Sequence, residues 1–323
     1  MGNVTVAVLG ALDYGGNIGK KGTSTDITFY NLKKGEDTVS LIEPTRYPER
    51  LAPLFYAISL AKKAIVVVDQ LDASFGECLV MLQCSEIKTG YFVLRNYIPK
   101  EKIEPLIRGS NLEKYEFISD DPNFLREQLL AEASKQKPVE VQVGQQSVGT
   151  VPIDHSFNVK GVGTVVLGIV AYGTVKKHET LNVLPSGKTA QLRSIQKHDD
   201  EFEMAGEGDR VGFALKNVEV EDVDRGVVLT NDPSIKVASK IETHASLVKY
   251  WQTPLKPGMV MHIGHWTQFL TAKVEKVDAA GEPSEPTLTL MLDKPLVYRS
   301  KGKAILMYLE GAKLRVAGTI ELL

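Results

Sequence analysis

Val151-Pro-Ile-Asp154-His155-Ser-Phe157 and, just beyond, Gly161-Val-Gly-Thr-Val-Val-Leu-Gly168 set the character of the chain after residue 138. β-Branched residues make up half of the second run, whose glycines punctuate it, as in short strands joined by tight turns. More runs follow at Thr180–Leu184 and 209–215, with Pro185-Ser-Gly187 as a turn. Short runs broken about every 8–12 residues by Gly, Asn or Pro are the pattern of small antiparallel barrels. A softer break at Asn231-Asp-Pro233 divides this region into 138–233 and 234–323.

Upstream, residues 1–137 read differently. Runs 4–9, 26–32, 38–42, 64–68 and 91–94 read as strands, and 50–62 and 122–136 as helices. The second helix opens on Asp120-Asp121-Pro122, a cap followed by proline at the first helical position. Ile65-Val-Val-Val68 suits a sheet covered on both faces. Strand–helix alternation implies an α/β domain. The expected plan is therefore an α/β domain over 1–137 followed by two antiparallel β-barrels over 138–233 and 234–323.

The bulk properties agree with a soluble protein. The 323 residues suffice for two or three domains. No apolar run approaches the ~18–20 residues of a membrane span, so no membrane partner is expected. The start lacks the basic region of a secretory signal, and myristoylation of Gly2 does not suit the strand that follows at once. Cys78 and Cys84, the two cysteines, read as reduced core thiols of a cytoplasmic protein. Net charge is −2, but residues 234–323 carry 12 Lys+Arg against 8 Asp+Glu. That bias permits contact with a phosphate backbone.

Gly10-Ala-Leu-Asp13-Tyr-Gly15-Gly16-Asn17 follows the first strand, where a phosphate-binding loop would stand. The loop pattern G-x-x-x-x-G-K-[ST] cradles phosphates on backbone N–H groups, with Lys on the β/γ oxygens and a hydroxyl on Mg²⁺. Gly10 and Gly15 have the spacing. Gly16 stands in place of the Lys and Asn17 in place of the hydroxyl. The histidines and aromatics elsewhere are less eloquent. His262 and His265, three apart on a strand, should face opposite ways and make no metal pair. Tyr250-Trp251 could stack on RNA but suits core packing better.

The two opening runs resemble the start of domain 2 in the EF-Tu/SelB family of translation elongation factors, which reads similar to P-L-D-H-x-F-x-I-x-G-x-G-T-V-x-x-G. The likeness continues at 179–185, 192–196, 205–212 and Arg225-Gly226. Residues 234–323 resemble domain 3 more loosely, chiefly at Met261-His-Ile-Gly264. The resemblance is to archaeal SelB-like homologues with a degenerate G domain, and a pyrrolysine-associated homologue is one candidate identity. The resemblance does not reach the appended fourth domain of SelB, so it does not imply selenocysteine insertion.

In this light Gly10-Ala-Leu-Asp13-Tyr-Gly15 looks like the G-H-V-D-H-G loop of translational GTPases. Lys20-Lys-Gly22 onward is similar to the SelB segment K-R-G-I-T-I-D-x-x-F, with Ser24 on the switch threonine. The helix and long switch that separate these segments in the family are almost deleted. Where the family has D-x-P-G-H, this chain has Glu43-Pro-Thr-Arg46-Tyr47. The [NT]-K-x-D motif is reduced to the stretch around Asn96, and of the last motif Ser119 remains. The resemblance thus implies a nucleotide site without its working residues. No cofactor is expected beyond weak residual GTP and Mg²⁺ binding, for which Lys20 or Lys21 could serve, and no catalytic or metal-ligating residue is assigned.

The resemblance also implies a pocket for an aminoacyl group at Asp154, His155 and Arg193. Arginine offers a permanent cation, aspartate can meet an α-ammonium, and histidine can donate or accept. Lys294, Arg299, Lys301 and Lys303 are candidates for the tRNA backbone. The implied partner is an aminoacyl-tRNA, with the ribosome as a further one; the implied role is a translation factor whose GTP binding and hydrolysis are weakened or lost. A GTPase running on altered motifs and a non-enzymatic scaffold are the alternatives.

Overall fold

The structure is a computed structural model that describes residues 2–136, 148–278, 282, 284–310 and 314–323. It divides into two compact units, 1–137 with 309–316, and 138–308 with 317–323. The expected domain boundary at 137/138 lies outside the described residues.

The first unit is built on seven strands: β1 (Asn3–Leu9), β2 (Lys20–Ser24), β3 (Thr28–Lys34), β4 (Asp37–Glu43), β5 (Lys63–Val68), β6 (Gly90–Leu94) and β7 (Glu116–Ser119). Their order across the sheet is β2-β3-β4-β1-β5-β6-β7. From β4 to β7 all pairings are parallel, and β3 joins β4 antiparallel. The helices are α1 (Ala52–Ser59), α2 (Ala73–Gln83), α3 (Glu104–Ile107) and α4 (Pro122–Lys135). Helix α4 lays Leu125, Leu129 and Ala133 on the face formed by Val4, Val6 and Val8. Its start is fixed by Asp121, whose carboxylate accepts the amides of Asn123 and Phe124 at 3.0 Å. The strand expected over 26–32 begins at Thr28, and the helix expected over 50–62 is shorter at both ends.

Four elements of the first unit escaped the sequence reading: β2, β7, α2 and α3. β2 is an exposed edge strand, Lys-Lys-Gly-Thr-Ser, with no apolar alternation. Helix α2 is capped by Asp72, whose carboxylate accepts the Phe75 amide at 2.8 Å. It buries Glu77, whose carboxylate is held by the Arg315 guanidinium at 3.0 and 2.5 Å. Cys78 on this helix is buried, which pushes its thiol up to about 12. Cys84 at the end of the helix is half-buried rather than a core thiol.

The second unit holds both barrels. The first comprises β8 (Gly149–Val159), β9 (Gly163–Ile169), β10 (Tyr172–Lys176), β11 (Thr180–Leu184), β12 (Lys188–Lys197), β13 (Asp200–Phe202), β14 (Met204–Gly206), β15 (Arg210–Lys216) and β16 (Val228–Thr230). Antiparallel pairings run β8-β16-β11-β12-β15-β9 and return to β8, closing a ring. Val151, Ile153, Leu181, Leu192 and Phe213 fill it. The second barrel comprises β17 (Ile235–Leu247), β18 (Val260–His265), β19 (Gln268–Asp278), β20 (Thr287–Arg299), β21 (Gly302–Met307) and β22 (Val316–Leu322). It closes in the order β17-β20-β19-β18-β21-β22. Trp251 packs edge-on against Tyr308 beside its core, while Tyr250 is exposed. Among the described residues no helix is long and apolar enough to cross a membrane.

Candidate functional site

The glycine loop follows β1 as expected. Gly10 takes a φ of +89°, and a Cβ there would lie 2.1 Å from the Val67 carbonyl, so the turn demands glycine. The family's long helix is replaced by one 3₁₀ turn, Tyr14–Asn17. Arg126 of α4 closes that turn, donating to the carbonyls of Ile18 and Asn17 at 3.0 Å each.

The loop is not an open cradle. The Glu43 side chain at the end of β4 lies inside it, 2% exposed. One carboxylate oxygen accepts the Gly15 amide at 2.5 Å and the other the Asp13 amide at 2.9 Å. Tyr30 of β3 donates its hydroxyl to the same carboxylate at 3.1 Å. Its ring closes the loop from the other side: a Cβ on Gly15 would meet it at 2.6 Å. Burial raises the Glu43 carboxyl above its ordinary range, partly offset by the two amides and Tyr30. The loop thus binds an anion, and the anion is the chain's own carboxylate.

The other remnants are likewise engaged. Lys21 pairs with Asp13 at 3.3 Å instead of reaching into the loop. Ser24 shares a hydrogen bond with Thr28 at 2.8 Å, and Thr28 another with Thr45 at 2.6 Å. Arg46 faces Glu49 at 3.6 Å. Tyr47 donates its hydroxyl to the Ser74 carbonyl at 2.8 Å. Asn96 donates to the Asp69 carbonyl at 2.9 Å. Gly16, Asn17 and Ser119 are exposed.

On the first barrel the structure brings Asp154 and His155 together and explains how. The β8–β9 register slips between Ile153 and His155, so Asp154 occupies a bulge. A bulge re-aims side chains, which lets two consecutive residues both turn inward. Both are buried, and His155 Nδ1 lies 2.5 Å from the Asp154 carboxylate. Arg210 of β15 clamps that carboxylate with both guanidinium nitrogens, one of them at 2.8 Å, and Arg225 donates to the Asp154 carbonyl at 2.9 Å. Burial works to raise the Asp154 carboxyl, but the charge and hydrogen bonds of Arg210 and the bond from His155 hold it below the usual range.

The Asp154 carboxylate, expected to meet an α-ammonium, is 1% exposed here and Arg210 holds both its oxygens. Arg193, exposed at a bulge in β12, donates to the Val162 carbonyl at 3.4 Å, in the turn of the hairpin that carries His155. His155 stacks on the partly exposed Phe157 ring, centroids 6.1 Å apart. Arg210 and Arg225 were not singled out from sequence; the signal was a buried aspartate, which demands a cation.

Lys294, Arg299, Lys301 and Lys303 all lie exposed on and around the β20–β21 hairpin. Arg299 also stacks over the Tyr172 ring at 4.8 Å. His262 packs on Phe269 and His265 on Trp266. His265 Nδ1 donates to the Lys303 carbonyl at 3.1 Å, and burial lowers its pKa to about 4. The unfolded histidine would bind its proton near pH 6.5. The unfolded chain therefore binds more protons between 6.5 and 4, and stability falls as pH drops through that window. The shift bounds this loss at about 3 kcal/mol, and the ring's partial exposure reduces it. Chemical denaturation across pH 4–7 is expected to show a shallower loss for His265→Asn than for the parent; parallel curves would remove His265 from the account.

Comparison with known proteins adds an independent line. The profile of elongation factor Tu domain 2 matches residues 163–230. An uncharacterized protein of Methanocaldococcus jannaschii is 35% identical over 319 residues, covering 98% of this chain and 99% of its own length. The selenocysteine-specific elongation factor of the same organism is 27% identical over 302 residues, 86% of this chain and 64% of that factor. Elongation factor 1-alpha of Cenarchaeum symbiosum is 30% identical over 198 residues, 59% of this chain and 44% of that factor. The chain thus spans less than two thirds of the length of either named factor. Among solved structures, translation elongation factor SelB from Methanococcus maripaludis with the GTP analogue GppNHp superposes with a TM-score of 0.81 at 21% identity, over 99% of this chain and 79% of that one. At that identity the likeness speaks for the fold.

Proposed function

The chain belongs to the EF-Tu/SelB family of translation elongation factors, and we propose that it binds an aminoacyl-tRNA while its own Glu43 replaces the nucleotide in the switch. In this reading 1–137, 138–233 and 234–323 are the counterparts of the family's three domains, and the ribosome is a second partner. The observation that carries the loss of GTP is the Glu43 carboxylate on the amides of Asp13 and Gly15. An amide that donates to an internal carboxylate is not available to a phosphate. The family's switch loop needs a ligand to be ordered. Here the ordering contact is covalently part of the chain, so the first domain would hold one state.

Binding of tRNA would rest on the second unit. The exposed bases of the β20–β21 hairpin suit phosphates, whereas Arg193 reaches the turn of the β8–β9 hairpin and His155 stacks on Phe157 farther down the same hairpin. Arg193→Ala is expected to weaken binding of charged tRNA by about one to two decades, the loss of one charged contact of about 1–3 kcal/mol, with little change for uncharged tRNA. Alanine at Lys294, Lys301 and Lys303 should weaken both forms and flatten the salt dependence, since phosphate contacts release counterions. Filter binding with two tRNA preparations at two salt concentrations distinguishes these effects. Equal losses for both forms in the Arg193 variant would reduce the pocket to ordinary barrel-mouth residues; no tRNA binding at all would sink the proposal. The same assay run with tRNAs carrying different amino acids, pyrrolysine among them, would name the cargo.

A further inference from the structure

We propose that the carboxyl edge of the parallel sheet in the first unit, released from nucleotide binding, is a docking face for a basic, apolar-tipped segment of a partner protein. Loops at the carboxyl ends of parallel strands are where α/β proteins bind their ligands. Here the loops after β1, β5 and β6 and the first turn of α4, which follows β7, each present a large apolar side chain to solvent: Leu12 at 65%, Leu71 at 40%, Tyr97 at 104% and Phe124 at 37% exposure. Solitary exposed apolar residues are ordinary, but one from each of three loops and an adjoining helix start along one sheet edge is a patch that asks for a cover.

The loops are tied into one surface. Arg95 bridges Asp69 at 3.3 Å and Asp120 at 3.1 Å, linking the loops after β5, β6 and β7. Tyr14 donates its hydroxyl to Asp120 at 2.7 Å and adds the loop after β1. Tyr97 is presented deliberately: it and Asn96 both adopt left-handed backbone, φ +55° and +52°, and the Asn96 side chain anchors the turn on the Asp69 carbonyl. A fully exposed tyrosine on an anchored turn brings contact area with few side-chain torsions to freeze.

Charge selects the occupant. Segments 10–18, 69–72, 95–99 and 119–124 contain five aspartates and one arginine, Arg95; with Lys21 paired to Asp13 and Arg126 on the first loop counted as well, the edge still carries an excess of negative charge. A nucleic acid or a nucleotide would meet like charge there. A polypeptide with Lys or Arg beside an apolar side chain meets opposite charge at the rim and apolar surface at the centre, the usual anatomy of an interface.

The test uses the full chain, labelled with ¹⁵N, and three probes: a short peptide of alternating lysine and leucine, its glutamate–leucine counterpart, and an oligouridylate of similar length. The lysine–leucine peptide is expected to shift the amides of residues 12, 71, 97 and 124. Tyr97→Ser, which removes no buried contact, should weaken that binding by about tenfold. The glutamate–leucine peptide and the oligouridylate should leave these amides in place. Four outcomes would overturn the proposal: no movement of the four amides, equal binding of the acidic peptide, an unchanged affinity in the Tyr97 variant, or the same shifts on raising the protein concentration alone, which would assign the face to a second copy of the chain.

Discussion

Titrated with GTP and Mg²⁺ in a calorimeter, the protein is expected to show no saturable binding below the millimolar range. On the resemblance, the lysine of G-x-x-x-x-G-K-[ST], the Lys and Asp of [NT]-K-x-D and the Asp of D-x-P-G-H are all replaced here. Charge-assisted contacts of this kind contribute about 1.5–3 kcal/mol each, so their joint loss removes roughly 6–9 kcal/mol. That is about four to six decades of affinity, enough to abolish a micromolar site. The geometry deepens the loss. A polyphosphate would have to evict Glu43 from the amides of Asp13 and Gly15, then lie beside Asp13 with Lys21 already paired to that carboxylate. Hydrolysis should stay at background for a separate reason. Tyr47, which on the resemblance replaces the histidine of D-x-P-G-H, donates its hydroxyl to the Ser74 carbonyl and leaves no imidazole to position a water. Glu43→Ala alone should not restore affinity, because it supplies neither the lysine nor the guanine contact. Micromolar, Mg²⁺-dependent binding by the parent chain would falsify this account.

The sequence carried the fold where side-chain period does the work. The apolar runs 4–9 and 64–68 became β1 and β5 within a residue, and Asp121-Pro122 began α4 where capping chemistry places it. It failed where an element exists only through its partners. β2 has no apolar face and is held by its ladder to β3. Helix α2 mixes glycine, cysteine and apolar residues all round, so no amphipathic stripe marks it.

The candidate site was legible residue by residue but not contact by contact. Glu43 read as a substitute for the aspartate of D-x-P-G-H, a judgement about what it replaces. What it does depends on amides 28 and 30 residues away, which no local pattern encodes. Asp154 and His155 were found as a pair, but strand alternation alone would have sent one of them outward. Only the bulge explains their common burial. The cation that neutralises them lies 56 residues downstream at Arg210.

Arg210→Ala is therefore expected to destabilise the protein by about 3–5 kcal/mol at neutral pH, the cost of breaking one side of a buried ion pair. Asp154, 1% exposed in the parent, would be left with its charge uncompensated except through His155. The sign of the pH dependence distinguishes this cause from simple loss of packing. In the parent, Arg210 and His155 hold the Asp154 carboxyl down, so the stability they confer is present above the unfolded value of about 3.9 and is lost as pH falls through the lower folded value. In the variant the carboxyl, left to its burial, should rise and take up a proton earlier. The gap between parent and variant should accordingly narrow as pH drops from neutral through the carboxylate range. Urea denaturation at several pH values measures it directly. The double variant Arg210→Met with Asp154→Asn should recover much of the loss at neutral pH, since a pair removed together leaves no buried charge. A gap that is constant with pH, or a double variant no better than Arg210→Ala, would mean that Arg210 acts through its packed methylenes and not through the carboxylate that orients His155.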